Sequence, residues 1–126
     1  MSLEYIAVEG YSWEASTTNL PAMPLDTAYT FTDTTSSKAK ASGKKILLSS
    51  VIVIAGTDAS EQFTFAGGGN LVGSAQKTKA EMTPVVLEND KVDCVTTCTN
   101  NSSGVTTTGT ITIKISEAGQ DKVKAS

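Results

Sequence analysis

The chain has 126 residues, ten lysines with no arginine or histidine, thirteen carboxylates and a formal net charge of −3. That length fits one domain with a core of its own. The missing arginine and acidic balance argue against a nucleic-acid partner, and the missing histidine removes the commonest general base and metal ligand, so no enzyme is expected.

Serine and threonine fill roughly a quarter of the positions, and threonine suits a pleated surface, so the class expected is all-β. Tyr5 to Val8 alternates as a first strand, followed by Gly10 to Glu14, where the single tryptophan, Trp13, stands near Tyr11 at the core or its rim. Residues 16–28 hold two of the three prolines and read as a loop or edge crossing. Tyr29-Thr30-Phe31-Thr32 alternates as a half-buried strand, and Asp33 to Ser37 reads as a polar turn. Lys38 to Ala41 and Lys45 to Ile54 follow as strands separated by Gly43.

Phe63-Thr64-Phe65 alternates again, and Gly67-Gly68-Gly69 reads as a turn. A phosphate loop would need Gly-Lys-Ser/Thr opening a helix, which is missing here. Gly73-Ser74-Ala75 lacks the Gly-x-Ser-x-Gly of a nucleophile elbow. Thr96 to Gly109 is polar and reads as a surface loop or hairpin tip; its Asn100 and Asn101 sequons say little without a signal segment. Ile111, Ile113 and Ile115 then share one face of the clearest strand. With no sustained 3.6-residue period, at most one short helix is expected. No apolar stretch approaches the roughly 18–20 residues of a membrane helix. Met1 to Glu4 lacks the cationic flank and apolar core of a secretory signal, so synthesis in the cytoplasm without a signal peptide is expected.

Residues 37–53 and 76–92 are two copies of one pattern. Lys38, Lys40, Ala41, Ile46, Leu47, Leu48 and Val53 recur as Lys77, Lys79, Ala80, Val85, Val86, Leu87 and Val92. A fragment of a third copy, Asp121 to Ser126, repeats the Lys-x-Lys-Ala at Lys122. Such repetition buries one unit's apolar face against the next. The expected architecture is therefore one domain over residues 1–126, built of short stacked β-hairpins as a cone or compact sandwich.

Cys94 and Cys98 admit three readings: a disulfide across a turn, two ligands of a metal ion completed by other donors, or two buried thiols packed as small hydrophobes. Glu88 and Asp90, two apart, read as a solvated acidic turn.

Gly73-Ser74, Pro84, Asp90, Val92 and Cys94 resemble the PAAR-like proteins that sharpen the spikes of contractile injection systems and phage tails. The resemblance covers about a third of the chain, with residues 37–53 as a degenerate first copy. It implies a cone of β-hairpins that caps a trimeric spike protein, is carried on a virion or injection apparatus, and aids envelope piercing. Family members pin the apex with a metal held by His and Cys; only Cys94 and Cys98 carry that role over here, so no cofactor is expected beyond such an ion. The docking base is expected as an exposed apolar patch at Leu47, Val51 and Val53 or at Val85 to Leu87, on a chain that is a monomer when free. The rival expectation is a β-sandwich module, either a self-associating virion decoration protein or a glycan binder using Tyr11 and Trp13.

Overall fold

The computed structural model describes residues 3–125. It is an all-β single domain, as expected, with strands β1 (Glu4–Tyr5), β2 (Ser12–Thr18), β3 (Tyr29–Ala41), β4 (Lys44–Thr57), β5 (Phe63–Val72), β6 (Lys79–Ala80), β7 (Thr83–Pro84), β8 (Lys91–Asn100), β9 (Thr106–Glu117) and β10 (Lys124–Ala125). The helical content of the described residues is a single 3₁₀ turn at Asp26–Ala28. β2, β9, β8, β5, β4 and β3, in that order, form one antiparallel sheet, while β1 with β10 and β6 with β7 form two small ones.

The period-2 pattern explains the sheet's two faces. On β9, Ile111, Ile113 and Ile115 are fully buried while Thr112 and Lys114 between them are not. Phe65, Ile52, Ile54, Leu71, Cys94 and Cys98 join them in one core. The outer face is rich in threonine, with Thr99 and Thr106 hydroxyls 3.1 Å apart across β8 and β9. The sheet curls until its two edges meet. Trp13 of β2 lies 4.9 Å from Tyr29 and 4.8 Å from Phe31 of β3, centroid to centroid, and the Tyr11 hydroxyl donates to Asp33 Oδ1 at 2.8 Å.

Three expectations are corrected. Gly67, Gly68 and Gly69 form no turn; they continue β5 through the sheet's middle, opposite Ile54, Val53 and Ile52. A Cβ on Gly67 would lie 2.5 Å from Val95 O and one on Gly68 2.4 Å from Ile52 O, so the strands approach more closely than a side chain permits. Asp33 to Ser37 is likewise strand, bulged where the β3–β4 register shifts on either side of Thr35. The polar run from Thr96 is mostly the β8–β9 hairpin itself, leaving residues 101–105 as its tip.

Tyr29 is 8% exposed, and its hydroxyl has no hydrogen-bond partner among the described residues. Burial first, then the charges of Asp26 and Cys94, raise its pKa from 10.0 to about 12. Tyr11 is raised too, first by burial and then by its bond to Asp33. A phenol whose folded pKa exceeds its unfolded one contributes stability fully below about pH 10, and this is lost as pH climbs toward 12. Urea unfolding should therefore weaken across that window, with a delayed phenolate absorbance rise; normal titration of all three tyrosines in the folded protein would contradict it.

Candidate docking site

A second core lies beside the first, formed by Ile6, Val8, Ala41, Ile46, Leu48, Ala75, Ala80, Val85, Leu87 and Ala125. It gathers every copy of the sequence repeat. The alanines closing the three Lys-x-Lys-Ala motifs, Ala41, Ala80 and Ala125, are 1%, 4% and 5% exposed within it. Ala41 pairs with Lys44 and Ala80 with Thr83 across two-residue turns, Ser42-Gly43 and Glu81-Met82. All four turn residues have positive φ, 54° and 78° in the first turn and 52° and 67° in the second, the signature of tight type I′ hairpins.

The third unit is built from both ends of the described chain. Ala125 of β10 pairs with Glu4 of β1, matching the Ala41–Lys44 and Ala80–Thr83 pairs. Two residues beyond each of these partners stands an apolar triple: Ile6-Ala7-Val8, Ile46-Leu47-Leu48 and Val85-Val86-Leu87. In each, the outer residues enter the second core and the middle one enters the first.

The middle residues close a ring of backbone hydrogen bonds. Ala7 N–H donates to Val86 O at 2.8 Å, Val86 N–H to Leu47 O at 3.1 Å, and Leu47 N–H to Ala7 O at 2.9 Å. Each donates to one partner and accepts from the other, which makes the arrangement locally three-fold. The flanks follow suit: Ile6 N–H donates to Val123 O at 3.0 Å and Val85 N–H to Thr78 O at 3.3 Å, both acceptors being the x of Lys-x-Lys-Ala. In the remaining unit Ile46 N–H donates instead to Ser36 Oγ at 3.0 Å, and that hydroxyl donates to Ala39 O, so the bulge of β3 is bridged by a side chain.

Carboxylates lock these units together, which corrects the reading of Glu88 and Asp90 as a merely solvated turn. Asp90 accepts from Ser74 N–H at 3.1 Å, Leu87 N–H at 2.9 Å and the Ser74 hydroxyl; Glu88 accepts from Ala118 N–H at 3.1 Å. Glu81, in the second hairpin turn, accepts from Ser37 N–H at 2.6 Å, Ser37 Oγ at 2.8 Å and Lys38 N–H at 3.0 Å in the first repeat. The Ser37 hydroxyl, then the two amides, hold its pKa below the usual glutamate value.

The structure rearranges the other candidates. Leu47, Val85 and Val86 are fully buried and Leu87 is 6% exposed, so they offer no apolar docking patch; they make the ring instead. Val51 and Val53 are about half exposed, on the outer face of β4, with Val95 facing outward two strands away across Gly68. Trp13 lines an open groove of about 410 Å³ with Tyr11, Glu14, Met23 and Asp26. Its close packing on Tyr29 and Phe31 limits what is left for a sugar to stack on.

Cys94 and Cys98 are free, buried thiols on one face of β8. Four strand steps, across Val95, Thr96 and Thr97, separate their Cα atoms by about 13 Å, against the roughly 7 Å a disulfide spans. The disulfide reading is thereby corrected: the cysteines stand on an extended strand, with no turn between them. Among the described residues no group of three His, Cys, Asp or Glu gathers as metal ligands. Burial, followed by Asp93 at Cys94 and Asp58 at Cys98, pushes both thiols above their ordinary pKa. Alkylation by iodoacetamide at pH 8 should be slow in the native protein and rapid in urea; fast native labelling would overturn this placement.

The three-fold ring was invisible in the sequence because its third member is split between residues 4–8 and 122–125. The signal that could have found it was present: Ile6-Ala7-Val8 is the apolar triple missing after the last Lys-x-Lys-Ala. No known protein family, curated protein or solved structure matches the chain.

Proposed function

We propose that the protein is a non-catalytic structural cap, the tip of a trimeric spike in a contractile injection system or phage tail, carried on a virion or injection apparatus and aiding envelope piercing. The observation that carries this reading is the closed ring of Ala7, Leu47 and Val86. A single chain meeting a homotrimer on its axis faces three identical surfaces, and it offers each an equivalent contact only where its own backbone approximates three-fold order. The residues of the family resemblance also take structural parts: Ser74 and Asp90 are bonded to each other, and Pro84 sits in the second hairpin. Long strands, a large curled sheet and side-chain locks between the repeats suit a part that must resist deformation.

Light scattering after gel filtration, on the chain alone and mixed with the trimeric spike protein of the same source, tests the reading. The expected result is a monomer that binds one per trimer. A stable homo-oligomer without spike binding would favour a second reading, a decoration module that self-associates, supported by the outward valines Val51, Val53 and Val95 on a face otherwise rich in threonine.

A further inference from the structure

Eight of the ten lysines lie in the segments that surround the second core, residues 3–10, 36–48, 73–90 and 117–125, with seven of the thirteen carboxylates. The remainder of the molecule holds two lysines against six carboxylates. Six of the eight occupy equivalent places in the three units: Lys38, Lys77 and Lys122, then Lys40, Lys79 and Lys124. Strand alternation points Lys40, Lys79 and Lys124 away from the core, because each precedes a buried alanine; Lys77 and Lys122 lie in the bends before β6 and β10 and Lys38 in the bulged part of β3, and all six are exposed.

Four of the seven carboxylates in these segments accept hydrogen bonds from backbone amides, one of them, Glu81, beside Lys38, whose charge, after the Ser37 and Lys38 hydrogen bonds, helps lower its pKa; Glu4, Glu117 and Asp121 stand among the lysines without such bonds among the described residues. Glu81 is held by Ser37 and Lys38 N–H groups, Glu88 by Ala118 N–H, Asp90 by Ser74 and Leu87, and Glu9 by Lys45 N–H at 3.3 Å. The ion pair of the described residues lies on the large sheet instead, Lys114 to Glu14 at 2.9 Å. Of the six lysines, Lys124 rests over the Tyr5 ring, 4.6 Å from its centroid.

We infer that these three lysine pairs form an interaction surface for an acidic protein partner whose carboxylates repeat around a three-fold axis. The inference deepens the spike-tip reading and rests on it for the identity of that partner. A polypeptide fits better than a nucleic acid. The lysines come as three separated pairs and not as one continuous stripe, arginine is absent, and the excess carboxylates of the rest of the molecule would repel a long polyphosphate. Exposed charges of this kind act mainly through association rate and register, and they are screened by salt.

The test measures binding to the trimeric spike protein by interferometry across 50–500 mM NaCl, with the variants K38Q/K40Q, K77Q/K79Q and K122Q/K124Q separately and combined. Circular dichroism confirms each fold. Each pair should weaken binding about three- to tenfold, by similar factors, and flatten the salt dependence; the combined variant should lose binding at 150 mM NaCl. Undiminished binding by the combined variant would overturn the inference while leaving the tip reading intact. A parallel titration with poly-L-glutamate and with duplex DNA separates the two ideas. Should wild type ignore the spike yet bind poly-L-glutamate in a way all three pairs reduce, the surface stands and the tip reading fails. Should it bind neither, or prefer DNA, the surface is refuted.

Discussion

Gly73→Ala should destabilise the protein by at least about 3 kcal/mol, enough to unfold much of it at 37 °C. A Cβ at this position would lie 2.2 Å from Pro84 O and 2.5 Å from Val85 O, both backbone atoms that cannot swing aside as a side chain would. Relief requires moving the segment after β5 away from β7. That segment carries Ser74, whose bonds to Asp90 fix the turn leading out of Val85-Val86-Leu87. One methyl group therefore pushes on one of the three strands of the ring. Gly104→Ala is the control. Its φ is +75°, but nothing lies within 4 Å of its Cβ position, so it should cost only about 1 kcal/mol from backbone strain. Urea unfolding of both variants decides the matter, and a Gly73→Ala midpoint no lower than that of Gly104→Ala would rule out the close approach.

The same pair of glycines shows where the sequence could and could not be read. Gly104 sits in a polar hairpin tip and its turn role is local, so composition alone places it. Gly67, Gly68, Gly69 and Gly73 answer to residues far along the chain, Val95, Ile52 and Pro84 among their contacts, and such a requirement leaves no local trace. Read locally, three glycines in a row look like a turn; in the sheet they permit close approach of β4 and β8. The strand Thr110 to Ile115 was legible because its alternation is complete within six residues. The repeat was legible in two copies for the same reason, including its Lys-x-Lys-Ala and apolar triple. Its docking role was misassigned, because hydrophobicity shows that Leu47 and Val85 to Leu87 must be covered without showing by what. They are covered by one another and by Ile6 to Val8, through backbone bonds whose donors and acceptors carry no sequence signal.

Trp13→Ala should lower stability by about 3 kcal/mol, more than its partly buried position at the sheet's edge suggests. β2 and β3 end the sheet at opposite edges, and no backbone pairing joins them among the described residues. What closes the seam is the packing of Trp13 on Tyr29 and Phe31, Tyr11 edge-on to Phe31 at 6.5 Å, and the Tyr11–Asp33 hydrogen bond, with Ser50 Oγ donating to the same carboxylate at 2.7 Å. Aromatic pairs of this kind contribute about 0.5–1.5 kcal/mol each beyond their buried area, and Trp13 makes two. Tyr11→Phe removes only the hydroxyl and should cost about 1 kcal/mol. Hydrogen exchange gives the sharper readout: in Trp13→Ala, amides of β2 and of Tyr29 to Asp33 should exchange faster while those around Ala7, Leu47 and Val86 keep their protection. Equal costs for the two variants would mean that the seam is held by its polar latch and not by its rings. Under the proposed spike-tip reading, in which the three-fold repeats dock, Trp13→Ala should still bind a trimeric partner one to three wherever it remains folded. A loss of binding without unfolding would instead place the docking surface at the seam.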